Sequence, residues 1–165
     1  MTNAELGLPE FTVRTPAKKK KKAVYRKSDA LVRLGFEYKL WYYSNKSIPL
    51  RTQMDFKFDD NGANALTRAI MAYLTMKGYF AARINSGATY DVRLGIYRKG
   101  SGATAGMADI NAVINGRSVS IEVKFGKDKI RPSQLKVKSE IEAAGGIYFI
   151  AKSFDGFLDE VKKYF

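Results

Sequence analysis

Asp109, Glu122 and Lys124 are the residues of this chain whose types and spacing suit chemistry on a charged substrate. Between the two acids lies Asn115-Gly116, flanked by the apolar, β-prone runs 110–114 and 117–123. Asn followed by Gly between such runs is the strongest short-range signal for a hairpin with a two-residue type I′ turn. If Ile114 faces Arg117, pairing continues outward until Asp109 stands opposite Glu122. Counting from the turn makes that pair a non-hydrogen-bonded one, with Cα atoms roughly 4.5 Å apart. Period-2 alternation then sorts the faces. One carries Asp109, Asn111, Ser118, Ser120, Glu122 and Lys124; the other, with Ile110, Ala112, Ile114, Val119, Ile121, Val123 and Phe125, is expected in the core.

Like charges directly opposite each other on a sheet repel. Two carboxylates so placed share a proton, hold a cation or move apart. Oxygen ligands suit Mg²⁺ or Mn²⁺, which take one or two carboxylates, keep several waters and bind substrate phosphates. Lys124, two residues past Glu122 on the same face, places an ammonium where it can hold an attacking water and offset charge developing on phosphorus. That set describes metal-assisted phosphodiester hydrolysis. The alternative is a half-exposed hairpin in which Lys124 neutralises Glu122.

Gly106, Met107, Ala108, Asp109 and Ile110, then Ile121, Glu122, Val123 and Lys124, then Gln134, resemble the PD-(D/E)XK nucleases, most closely the VRR-NUC branch. The resemblance covers roughly residues 60–165. It implies a restriction-endonuclease-like α/β fold, a mixed β-sheet flanked by helices, and a divalent-metal-dependent DNA endonuclease. In that pattern Asp109 and Glu122 are metal ligands, the Val123 carbonyl is a third oxygen, Lys124 is the catalytic lysine and Gln134 faces the same site. Ala108 stands where the family usually has proline. The preceding helix usually contributes a glutamate; by distance from the glycine that ends it, Asn64 occupies that place, with an amide oxygen but no charge. The resemblance further implies branched substrates such as Holliday junctions or flaps, cut by a homodimer. A DNA-binding protein that keeps the fold with a weakened site is the alternative.

Composition narrows the chemistry. A net charge of +13 predicts an anionic partner, and nucleic acid fits better than a membrane. No apolar run approaches the ~18 residues of a membrane-spanning helix, and residues 1–10 do not read as a signal peptide. The chain has neither cysteine nor histidine, so disulfides, thiolate metal sites and Ser/His or Cys/His machinery are excluded. The expected compartment is the cytoplasm of a bacterial or phage-infected cell, or the nucleus in a eukaryotic host.

Two regions follow from charge and pattern. Residues 1–57 carry 13 basic and 5 acidic residues, against 16 and 11 in residues 58–165. The first region reads as a basic extension, the second as the nuclease-like domain. Lys18, Lys19, Lys20, Lys21 and Lys22 form an unbroken run that fits a DNA tether, an import signal or a solvated tail. Residues 31–43 alternate aromatics at strand spacing and are read as a strand, whose rings either pack or stack on unpaired bases.

Further on, Asp59 or Asp60 is expected to cap a helix running to Lys77, with Leu66, Ile70, Tyr73 and Leu74 on its buried stripe. A strand at 79–85 carries Arg83 on its polar side. A glycine-rich stretch, 87–106, holds Arg98 and Lys99, with another strand within 90–97; it either lines a DNA path or is a plain connector. After the hairpin, Lys127, Lys129 and Arg131, expected with Arg83, Arg98 and Lys99 to contact DNA, precede a helix over 132–144 that opens on Pro132 and holds Gln134 in its first turn, as site residue or capping partner. Ile147–Ala151 reads as a buried central strand, and Ser153 caps a last helix to Phe165.

Overall fold

Asn115 and Gly116 both adopt positive φ, 48° and 78°, the conformation a type I′ turn requires. The hairpin they close pairs β4 (Ile110–Ile114) with β5 (Arg117–Val123), from Ile114 opposite Arg117 out to Ile110 opposite Ile121. This is the predicted register. Asp109 lies one residue before β4, in a bend, where the same register brings it beside Glu122.

The computed structural model describes residues 25–84, 89–98 and 104–165. It is a mixed α/β arrangement in which a four-stranded sheet, ordered β1-β4-β5-β6, is flanked by helices. β1 (Phe80–Arg83) pairs antiparallel with β4, and β6 (Ile147–Ala151) pairs parallel with β5. A separate two-stranded ribbon joins β2 (Thr89–Asp91) to β3 (Ile96–Arg98) within the stretch read as glycine-rich loop.

Alternation assigns the sheet faces. Ile110, Ala112, Ile114, Val119, Ile121, Val123, Ile147, Phe149 and Ala151 form one core with α2 (Ala63–Met76), α4 (Phe154–Tyr164) and α1 (Asp29–Tyr43). Leu66, Ile70 and Leu74 bury the expected stripe of α2, with Tyr73 packed at its margin. On the opposite face α3 (Pro132–Ala143) lies against β6, so Ser120, Glu122 and Lys124 are buried although they form the polar face. Phe125, expected in the core, is 43% exposed, because β5 ends at Val123 and the chain turns there, Asp128 N–H donating to the Phe125 carbonyl at 3.1 Å.

Three further expectations are corrected. Residues 31–43 are helical, within α1. Ser28 accepts from Leu31 N–H at its start, Leu31 and Leu34 bury one side, and Gly35 gives the Phe56 carbonyl room to lie against the helix. The aromatic alternation matched a strand, but the Ser28-Asp29 start and the i,i+3 burial set the helix. Leu31 and Leu34 join the same core as residues 66–161, so part of the 1–57 segment packs with the rest of the fold.

The second correction concerns Asp59 and Asp60. α2 begins at Ala63 after Gly62, with no side-chain cap. Asp60 instead accepts from Tyr25 Oη at 2.7 Å and from Phe154 N–H at 3.0 Å, tying the start of α4 to the residues before α1. Third, β6 is an edge strand of the sheet order. Its apolar run records cover on both faces, by α3 and α4, and not neighbours on both sides. Ser153 does cap α4, accepting from Gly156 N–H at 3.1 Å.

Candidate active site

The bend at Asp109 is held from two sides. Its carbonyl accepts from Ile84 N–H at 2.8 Å, and its Oδ2 accepts from Val123 N–H at 2.9 Å. One carboxylate oxygen thus crosses the hairpin at the end of the ladder. Three residues earlier the chain passes so close to α3 that a Cβ on Gly106, which has φ 91°, would collide with the Ser133 carbonyl and come within 2.9 Å of Gln134 N. The glycine of the Gly106–Ile110 pattern therefore seats the first turn of α3 against the bend.

Glu122 is 2% exposed. Its Oε1 accepts from Lys124 Nζ at 2.9 Å and from Gln134 Nε2 at 2.5 Å. Its Oε2 is buried and has no hydrogen-bond partner among the described residues. Burial is the largest influence on this carboxyl and raises its pKa; the Lys124 hydrogen bond pulls it down, the charge of Asp109 pushes it up, and the net direction is upward. Burial opposes the Lys124 ammonium, but the hydrogen bond and charge of Glu122, followed by those of Asp128 at 3.3 Å, outweigh it and raise the lysine pKa. Removing one member of such a buried pair strands the other.

Gln134 forms hydrogen bonds in two directions. Its Oε1 accepts from Arg131 N–H at 2.9 Å, closing the first turn of α3, while Nε2 reaches Glu122. A pocket of about 250 Å³ gathers Asp109, Glu122, Val123, Lys124 and Gln134 with Asn64 and Thr67 of α2, Arg83, Met107, Asp128 and Arg131. The first turns of α2 and α3 both border it, and the positive end of a helix favours anions.

Every residue of the expected metal and catalytic set lines this pocket. Asn64 is already engaged, however: its Oδ1 accepts from Arg83 Nη2 at 2.6 Å. Among the described residues no group of three or more His, Cys, Asp or Glu could hold a metal. The acidic donors are two carboxylates, which fits Mg²⁺ or Mn²⁺ that retain several waters. The partnerless Glu122 Oε2 is the oxygen such a cation would satisfy.

Of the residues expected on DNA, Arg83 and Arg131 line the pocket, and Lys127 and Lys129 are exposed on the loop between β5 and α3. Lys18–Lys22, Lys99 and the Arg98 side chain lie outside the described residues. Asp128 and Tyr148 were missed. Asp128, four residues past Lys124, is a signal that local spacing offered. Tyr148 had none, since it reaches this face only through the parallel pairing of β6, opposite Ser120. Burial, then the charges of Glu122 and Asp109 and an approach of its hydroxyl to Glu122, raise its phenol pKa, and its buried Oη forms no hydrogen bond of good geometry. The chain matches no protein-family model and no curated protein.

Proposed function

We propose that this protein is a divalent-metal-dependent DNA endonuclease of the PD-(D/E)XK type, close to the VRR-NUC branch. The observation that carries the reading is the meeting of Asp109, Glu122 and Lys124 on one pocket, with Glu122 Oε2 buried and unpartnered. Asp109 and Glu122 would hold Mg²⁺ or Mn²⁺, with the Val123 carbonyl as a further oxygen. Such a cation supplies Lewis-acid polarisation of the scissile phosphate and of a water.

The side chains have the remaining tasks. Lys124 orients the attacking water and offsets negative charge on the phosphate. Gln134 holds Glu122 in place and ties it to the start of α3. Arg83, Arg131 and the two helix N-termini favour the phosphate backbone, a sequence-independent attraction that weakens with salt. Preference for branched DNA and action as a homodimer rest on the family resemblance alone.

A second reading has its own observation. Arg83 occupies the oxygen of Asn64, the residue standing where the family usually has a glutamate, which favours a DNA-binding protein with a weakened metal site. Cleavage of duplex, flap and junction DNA with Mg²⁺ or Mn²⁺ decides between them, using wild type, Asp109→Asn and Lys124→Ala. Asp109→Asn keeps an oxygen for Val123 N–H and removes the charge. The nuclease reading expects metal-dependent cuts that fall roughly 10²-fold or more in either variant. Binding without cutting by wild type on every substrate sinks it.

A further inference from the structure

Away from the pocket, six aromatic rings gather where α1 ends. Tyr38, Trp41, Tyr42 and Tyr43 meet Phe56 and Phe58 at centroid separations of 5.0–6.3 Å, mostly tilted or edge to face. The rings brace one another, and two hydrogen bonds lock the arrangement: Tyr43 Oη accepts from Met54 N–H at 3.1 Å and Lys39 donates to Asp55 at 2.8 Å. Most of the cluster stands outside the main core, and Trp41 and Tyr42 are each about 40% exposed. Large flat rings held rigid and partly exposed, one of them covered only by a flexible lysine, invite a ligand.

Charge narrows its class. Lys46 sits over the Tyr42 ring, 3.1 Å from the centroid, and Arg51 and Lys57 are exposed on the segment that follows. Among the described residues none of these three cations forms an ion pair, and the one acid between residues 38 and 57, Asp55, is paired with Lys39. A second copy of a chain with net charge +13 is repelled from such a surface. An anion carrying planar groups is attracted to it.

We propose that the aromatic surface formed by Trp41 and Tyr42, with Lys46 on it and Arg51 and Lys57 exposed on the following segment, binds single-stranded DNA by stacking unpaired bases. The braced rings supply faces at little entropic cost, and the cations take the phosphates between stacked bases. When a base takes the covered face of Tyr42, the Lys46 ammonium is freed for a neighbouring phosphate. This site uses none of the pocket residues; its stacking of unpaired bases stands whether or not the pocket cleaves DNA, while the choice of DNA over RNA rests on the function proposed above.

Trp41 is the single tryptophan of the chain, so its fluorescence reports directly on stacking. The full-length protein is titrated in chelator, which prevents cleavage, with a dT20 strand, an abasic strand of equal length and charge, a dT20·dA20 duplex and an rU20 strand. Expected is saturable quenching by dT20, with affinity roughly ten-fold or more above that for the abasic strand, and loss of most of that difference in Tyr42→Leu, which keeps apolar packing on Phe56. Comparison of strands on the wild-type protein decides the matter even if that variant folds poorly. Equal affinity for the abasic strand with no quenching overturns the proposal, as does tighter binding of the duplex. Preference for rU20 overturns the assignment to DNA. A Trp41 blue shift on anionic phospholipid vesicles but not on dT20, or one that follows protein concentration alone, overturns it in favour of a membrane surface or self-association.

Discussion

Gln134 reaches across from the first turn of α3 and donates to Glu122 at 2.5 Å, while its own oxygen accepts the Arg131 N–H that opens the helix. One side chain therefore couples the cap of a helix to a buried carboxylate. Gln134→Ala breaks both bonds and is expected to cost about 1–3 kcal/mol in urea unfolding. Gln134→Glu sets a second acid against Glu122 and is expected to cost more at neutral pH, with recovery in mild acid. A variant that unfolds like wild type would show that the coupling contributes nothing.

The site also predicts how metal and pH interact. Glu122 has a raised pKa, so the folded state favours its protonated form; that contribution is present below the unfolded carboxylate pKa and lost as pH rises through the folded one. A cation bound to the ionised carboxylate restores stability at higher pH and competes with protons as pH falls. Thermal unfolding at pH 8 is expected to rise by roughly 5–10 °C at Mn²⁺ a hundred-fold above its Kd, and by less at pH 5.5. No shift at either pH counts against a metal on these acids.

Asn64→Glu would place a further carboxylate in the pocket, beside Arg83 and in addition to Asp109, Glu122 and the Lys124-paired Asp128. Added ligand charge is expected to tighten Mn²⁺ binding roughly ten-fold, measured calorimetrically. Unchanged affinity would mean that this position does not reach the cation.

Gly106→Ala forces an L side chain into positive φ and into the backbone of Ser133 and Gln134. A loss of about 2 kcal/mol or more is expected. Because α3 must shift, cleavage should fall even below the unfolding midpoint. Full activity together with lowered stability would show that the site tolerates displacement of α3.

Tyr148 titrates on the alkaline side. Its raised pKa means that its contribution to stability is present below the unfolded phenol value near 10.0 and is lost as pH climbs through the folded value; Lys124 and Tyr73, also raised, act in the same direction. Tyr148→Phe should flatten the fall in stability above about pH 10 and, having removed a hydroxyl that forms no hydrogen bond of good geometry, change stability at pH 7 by less than about 1 kcal/mol. An unaltered alkaline limb in urea titrations from pH 8 to 11 would rule this out.

Local chemistry made the site legible. Asn115-Gly116 dictates its own turn, the turn sets the register, and the register brings Asp109, Glu122 and Lys124 together from within sixteen residues of chain. Pro132 and Ser153 likewise mark helix starts through the backbone geometry and hydrogen bonds that those residues supply themselves. In residues 31–43 two periods competed, and the choice fell to packing: Leu31 and Leu34 found a core to bury in, and Phe56 came to lie on Gly35.

What the sequence determined alone is therefore what neighbours along the chain decide: a β-hairpin, its faces, a pair of acids with a lysine, and a strongly basic whole. Tertiary structure decided the rest. It buried Glu122 and Lys124 under α3, gave Asn64 to Arg83, brought Tyr148 to the acids through a parallel strand, and gathered rings from residues 38 to 58 into one partly exposed cluster. Burial and electrostatic strength depend on which distant segments exclude water from a group, and residue spacing along a chain carries no record of that.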